Sequence, residues 1–200
     1  MKIHSIQTKI LIIAFSVILV LSGTTAWLLY RSTNNTAVST IGKMGINTAT
    51  NAVQLLDKTE YESYLHNPDH VEAYEHLREQ LNQIRMDTNA LYVYTGYVKD
   101  GGVYLLVDGV PESESDTTSR EHLLPEVYEE IQPLLKSGEA ISTKVVHSEE
   151  DGDVLTAYAP IYNRGGECIG ILGVDFSAGD VKQIQKDILT EELLFTLSII

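Results

Sequence analysis

Residues 155–181, LTAYAPIYNRGGECIGILGVDFSAGDV, hold two strand-like runs around a tight turn. Side chains alternate across a strand, so Thr156, Tyr158 and Tyr162 share one face, and Leu155, Ala157, Ala159 and Ile161 share the other. Asn163-Arg164-Gly165-Gly166 has the composition of a hairpin turn. A strand with one aliphatic face needs an apolar layer beneath it. Its other face, lined by aromatic hydroxyls, leaves room for a polar ligand.

Working outward, LYVYTGYV (91–98) and VYLLVD (103–108) flank Lys99-Asp100-Gly101-Gly102, and Asp-Gly between such runs is a strong hairpin signal. ISTKVVHS (141–148) supplies a further strand, ended by the Glu149–Asp153 turn. Five strand-like runs, most joined by short turns, predict an antiparallel sheet in an α+β domain. The partner layer is expected from the helices on the N-terminal side. Asn67-Pro68-Asp69 breaks the chain, with Asp69 expected to cap a helix from about His70 that buries Val71, Tyr74, Leu77, Leu81 and Ile84. Residues 109–124 are polar and acidic. Pro125 is placed to start a short helix reaching about Lys136, which Pro133 should kink or end. A last helix is expected from about Ala178, capped by Ser177 or Asp180.

At the other end of the chain, residues 10–30, ILIIAFSVILVLSGTTAWLLY, contain no charge. About 20 helical residues cross a bilayer core, so this segment is long enough. It exceeds the apolar core of a signal peptide, and Trp27, Tyr30 and Arg31 sit where an interfacial belt belongs. Lys2 and Lys9 place the N-terminus in the cytoplasm. Past it, Ala37, Ile41, Met44, Thr48, Asn51 and Leu55 form a helical stripe, read either as a core face or as a subunit interface. Residues 191–200, ending in LLFTLSII, read as the start of a second, truncated apolar segment. The expected organisation is a cytoplasmic N-terminus (1–9), a transmembrane helix (10–30), an extracellular domain (31–190) and that second segment.

Residues 32–190 carry 11 of the 14 basic and 26 of the 28 acidic side chains, a net charge of −15. Such a surface repels nucleic acid and anionic lipid headgroups. The only cysteine, Cys168, has no disulfide partner and reads as a buried apolar residue. No nucleophile–base, metal or phosphate-loop signature is visible, so neither catalytic residues nor a cofactor is expected. Asp151-Gly152-Asp153 lacks the later glutamate of a calcium loop and reads as a turn. His66, His70 and His76 do not make a metal pair across Asn67-Pro68.

The candidate ligand-binding residues are Tyr92, Tyr94, Arg120, Tyr158 and Asp175. Tyr92 and Tyr94 share a face beside Gly96, and buried tyrosine hydroxyls need partners that a polar ligand can supply. The same tyrosines can equally tile a core or face water. Asp175 either receives a cation or caps a turn, and for Asp108 the turn is favoured. Arg120, in the acidic loop, can clamp a carboxylate if the loop covers the site; a solvated arginine is the commoner case.

LYVYTGYVKDGGVYLLVDG and LTAYAPIYNRGGECIGILGVDFSAGDV together resemble the single Cache sensors, PAS-like extracellular domains of bacterial transmembrane receptors. The Ala-Tyr-Ala-Pro-Ile-Tyr strand, the Gly-Glu turn and the Gly-Val-Asp-Phe-Ser close carry the likeness, over about residues 35–190. The resemblance implies a long N-terminal helix, a five-stranded antiparallel sheet, and a pocket for a carboxylate, amine or amino acid. It also implies a signal-transduction output, with methyl-accepting chemotaxis receptors first and sensor histidine kinases or diguanylate cyclases as alternatives. The implied protein lies in the cell membrane with its sensor outside, as a homodimer in the lipid bilayer. Two rival readings stand beside it: a divalent-cation or pH sensor without an organic pocket, and a purely structural ectodomain.

Overall fold

The computed structural model describes residues 6–111, 113, 122–149 and 151–179. The expected last helix, its Asp180 cap, the segment 191–200 and Arg120 lie outside them. The chain divides into two compact units, one of them Ser39–Gly179, the other including the N-terminal residues through Val38.

Helix α1 spans Ile6–Leu55. Its stretch Thr8–Ser32 has a mean hydropathy of 2.2 and is long and apolar enough to cross a membrane. Within the Ser39–Gly179 unit, α1 buries a different face from the stripe expected. Gly42, Gly45, Ala49, Ala52 and Val53 are buried, as is Leu56 just past the helix end, while Met44 is 57% and Leu55 70% exposed. The cause is close approach. A Cβ on Gly45 would lie 2.9 Å from the Cβ of Ala157, so the helix lies too near the sheet there for any larger residue. The small residues select the buried face.

Asp57 ends this run by capping α2 (Lys58–His66), accepting hydrogen bonds from the N–H groups of Thr59 and Glu60 at 2.9 and 3.1 Å. Helix α3 (Val71–Thr88) follows. It buries Tyr74, Leu77, Leu81 and Ile84 as expected, but Val71 is exposed and Ala73 and Arg78 are buried instead. Nor does Asp69 cap it. His70 holds the N-cap position without a side-chain bond. Arg78 is satisfied in the interior by Glu75 Oε2 and the Val110 carbonyl, each at 2.9 Å, and so ties α3 to the chain leaving the sheet.

Strands β1 (Tyr92–Lys99) and β2 (Gly102–Asp108) form the expected hairpin, with Asp100 and Gly101 both at positive φ. Helices α4 (Pro125–Glu130) and α5 (Gln132–Ser137) are two short pieces, the break falling just before Pro133. The run 141–148 is divided into β3 (Ile141–Ser142) and β4 (Val146–Ser148): the Thr143 N–H still donates to the Thr156 carbonyl at 2.8 Å, but the Thr156 N–H donates to the Thr143 hydroxyl, at 3.1 Å, in place of a backbone carbonyl. The sheet therefore has six strands where five were expected. β5 (Gly152–Tyr162) and β6 (Cys168–Ser177) complete an antiparallel order β2-β1-β6-β5-β3, with β4 also on β5. Pro160 lies beyond the β3 pairing, where β5 is an edge on that side and proline is tolerated.

The sheet is covered on both faces. Val93, Ala157, Ala159, Ile161, Leu172, Val174 and Phe176 join the core built with α1, α2 and α3. Tyr158, Ile171 and Val103 pack with Ile131 and Leu134 of α5 and its N-terminal flank. The aliphatic and tyrosine faces of 155–162 thus take opposite sides, as the alternation requires. Cys168 departs from expectation: it opens β6 next to the hairpin turn and is exposed rather than buried.

Candidate functional site

The site lies on the tyrosine face, where β1, β6 and β5 run side by side. Strand register aligns it: Tyr94 and Tyr158 both pair with Gly173, and Tyr92 and Thr156 both pair with Asp175. Gly173 is the reason two tyrosines meet. A Cβ there would lie 2.6 Å from Cζ of Tyr94, so only glycine lets that ring lie across β6. The Tyr94 hydroxyl then donates to the Tyr158 hydroxyl at 3.3 Å, and Tyr158 donates to Glu130 Oε2 at 3.1 Å. Glu130 closes α4, so this relay ties the middle of the sheet to the helical cover.

Burial raises the pKa of Tyr94 and Tyr158 well above that of a free phenol, and the neighbouring acidic groups add to it. Both are neutral hydroxyls at physiological pH. Asp175 is the most perturbed carboxyl of the site, pushed up to about 6. Its burial is the main cause, and Asp108, Glu130 and Asp151 push the same way, while the Thr156 hydroxyl partly offsets them. Its Oδ1 is buried with no hydrogen-bond partner among the described residues. Oδ1 of Asp108 is in the same position, and burial raises that carboxyl too, against the charge of Arg85.

Of the five candidate residues, Tyr94, Tyr158 and Asp175 are brought together. Tyr92 is at the rim, 37% exposed, with its hydroxyl donating to Asp151 Oδ1 at 3.1 Å in the β4–β5 hairpin. Arg120 lies outside the described residues. Glu130 was missed from the sequence, although it falls three residues after Val127 and beside Ile131, at the edge of the stripe that α4 and α5 bury. Among the described residues no three His, Cys, Asp or Glu side chains form a metal-holding group. A cleft of about 460 Å³ opens elsewhere, at the Tyr162 end of β5, between Gln54, Leu56–Thr59, Glu62, Asn163 and Arg164. It mixes charges of both signs at an open surface. The buried convergent groups are at Asp175.

No family model matches the sequence, and the search of curated proteins returns no match. Solved structures do match. The ligand-binding domain of the Campylobacter jejuni chemoreceptor Tlp3, in complex with 4-methylisoleucine, is 23% identical with a TM-score of 0.51, over 80% of this chain and 59% of that one. The Escherichia coli DcuS sensor domain is 15% identical with a TM-score of 0.50, over 76% of this chain and 98% of that one. The sensor domain of the Vibrio cholerae histidine kinase DctB is 12% identical with a TM-score of 0.56, over 82% and 58%. This chain thus spans under two thirds of the Tlp3 and DctB domains. At such identities the likeness is one of architecture: the chain shares the mixed helix and antiparallel-sheet fold of these sensor and ligand-binding domains.

Proposed function

We propose that this chain is the ligand-sensing part of a bacterial transmembrane receptor, with the small-molecule site at Tyr94, Tyr158 and Asp175. The observation that carries this reading is the buried carboxylate oxygen of Asp175, unpartnered among the described residues, beside the hydroxyls of half-buried Tyr94 and buried Tyr158, between the sheet and a short helical cover. The three neighbouring architectures are sensor or ligand-binding domains, which supports the same reading. Residues 10–30, within the apolar stretch Thr8–Ser32, are the proposed membrane span, with the N-terminus cytoplasmic and residues 31–190 outside. A chemotaxis receptor is the first proposal for the output, and a sensor kinase or diguanylate cyclase the second; in each, any catalysis lies outside this chain. The exposed Met44 and Leu55 face of α1 is the proposed homodimer contact.

Signalling requires that ligand bind two packings of the domain with different affinity, and such couplings are typically about 1–3 kcal/mol. Here the two packings would differ in how the sheet lies on the small-residue face of α1. The test is a thermal-shift screen of the full chain in nanodiscs against amines, carboxylates and amino acids. A stabilising hit that loses its effect in Tyr158→Ala and Asp175→Ala supports the site. A hit indifferent to both places the ligand elsewhere, and no hit removes the small-molecule reading.

A further inference from the structure

We propose that the site takes ligands presenting an organic ammonium rather than a carboxylate, and that Glu130 on α4 sets this preference; the inference rests on the reading of Tyr94, Tyr158 and Asp175 as the ligand site. The first ground is the direction of the hydroxyl relay. Tyr94 spends its only proton on Tyr158, and Tyr158 spends its own on Glu130. An ionised carboxylate can only accept, so Glu130 at the end of the relay fixes the direction of both bonds. Each hydroxyl therefore has only lone pairs to offer a ligand.

The second ground is what stands beside them. The Oδ1 atoms of Asp175 and Asp108, without partners among the described residues, are acceptors as well. An ammonium brings three donors and no acceptor, and so matches these four atoms in kind, three of them at a time. A ligand carboxylate brings only acceptors, and would meet lone pairs at each position. Charge favours the same outcome. Among the described residues, the ionisable side chains bearing on Asp175 are Asp108 from β2, Glu130 from α4 and Asp151 from the β4–β5 hairpin, all acidic. Arg85 acts on Asp108, from α3. The aromatic walls of Tyr94 and Tyr158 add a surface that cations favour.

Glu130 is thus a specificity residue acting through a tyrosine. Glu130→Gln removes a charge and also supplies an amide donor. With the amide donating to Tyr158, the relay can reverse and free a hydroxyl proton for an anion.

The experiment uses the full chain in lipid nanodiscs and two matched probe sets. Amino-acid amides carry an ammonium and no carboxylate; N-acetyl amino acids with the same side chains carry a carboxylate and no ammonium. Thermal unfolding and calorimetry should show at least one amide binding the wild type while its N-acetyl counterpart does not. Glu130→Gln should weaken that amide by about tenfold, as loss of a charge-assisted partner does. Glu130→Asp, which keeps the charge, should preserve the preference, and Glu129→Gln, on an exposed position of the same helix, should leave affinity unchanged. Melting without probe reports whether each variant folds. N-acetyl probes binding the wild type as tightly as amides would overturn the ammonium preference and leave the site reading standing. Amide binding lost in Asp175→Asn but unchanged in Glu130→Gln would overturn the role of Glu130 alone. If neither set shifts the wild type, while the wider screen finds a ligand of another class at this site, the inference falls and the site stands; if that screen is also empty, both fall.

Discussion

Replacing Asp175 by Asn should stabilise the ligand-free protein, and the gain should grow with pH. The carboxyl titrates near 3.8 in an unfolded chain and at about 6 in the folded one. A group whose folded pKa is raised favours folding below its unfolded pKa, and that advantage is lost as pH rises through the folded value. A rise from 3.8 to about 6 corresponds to about 3 kcal/mol at pH 7, falling to roughly 0.5 kcal/mol at pH 4. Asparagine keeps the shape without the charge, so Asp175→Asn should recover about 3 kcal/mol at pH 7 and little at pH 4. For a domain of this size that is about 8 °C in Tm. Thermal unfolding of wild type and variant at pH 4, 5, 6 and 7, without ligand, reads it directly. A difference that does not change with pH, or an Asn variant no more stable at pH 7, would show that Asp175 carries no burial penalty. The site would then lose its main electrostatic feature.

Three further perturbations check the geometry. Gly173→Ala puts a methyl against the Tyr94 ring and should cost about 1–3 kcal/mol in denaturant unfolding, as overpacking does; an unchanged midpoint would mean that the ring has free space. Gly45→Val should destabilise by a similar amount through Ala157 and Phe176, whereas Asn47→Ser, exposed and off both the buried face and the proposed dimer contact, should stay within about 0.5 kcal/mol. Were Asn47→Ser the more damaging, the orientation of α1 would be wrong. Arg78→Met leaves the Val110 carbonyl without its buried donor, and about 2 kcal/mol should be lost; hydrogen exchange at residues 108–110 should rise with it, and unaltered protection there would deny that Arg78 holds this strand exit.

Much of the fold was legible because its signals are local. The Asp100-Gly101 turn needs only four residues to declare itself, and the alternation along 155–162 assigned both faces of β5 correctly. What failed were the readings that depend on distance to another element. Of the two readings of the stripe through Met44 and Leu55, the core face fails, because hydrophobicity loses to close approach where a helix lies on a sheet, and Gly42 and Gly45 decide the buried face. Cys168 lies in an apolar run, yet the run begins one step beyond the turn, and exposure there follows from position in the hairpin rather than from composition. The split of 141–148 arises from a Thr143–Thr156 contact between strands, which no single run of residues reveals.

The site shows the same division, and its two halves explain one another. Tyr94 and Tyr158 could be listed from alternation within their strands and Asp175 from its place near a strand end, whereas the register between strands sets them on one face. Glu130 could not, since its position depends on how α4 lands on that face. Yet without Glu130 the list is ambiguous: tyrosine hydroxyls can donate or accept, and so fit anions and cations equally. The acidic partner removes the ambiguity by taking the last proton of the relay. It also adds to the burial penalty that Asp175 already carries. A site left about 3 kcal/mol unfavourable when empty has that much to recover when a cation pairs with its carboxylate, an amount at the top of the usual range for coupling between sites. On this reading the instability of the empty site is the source of free energy for the response, and a variant that removes it should gain stability and lose signalling together.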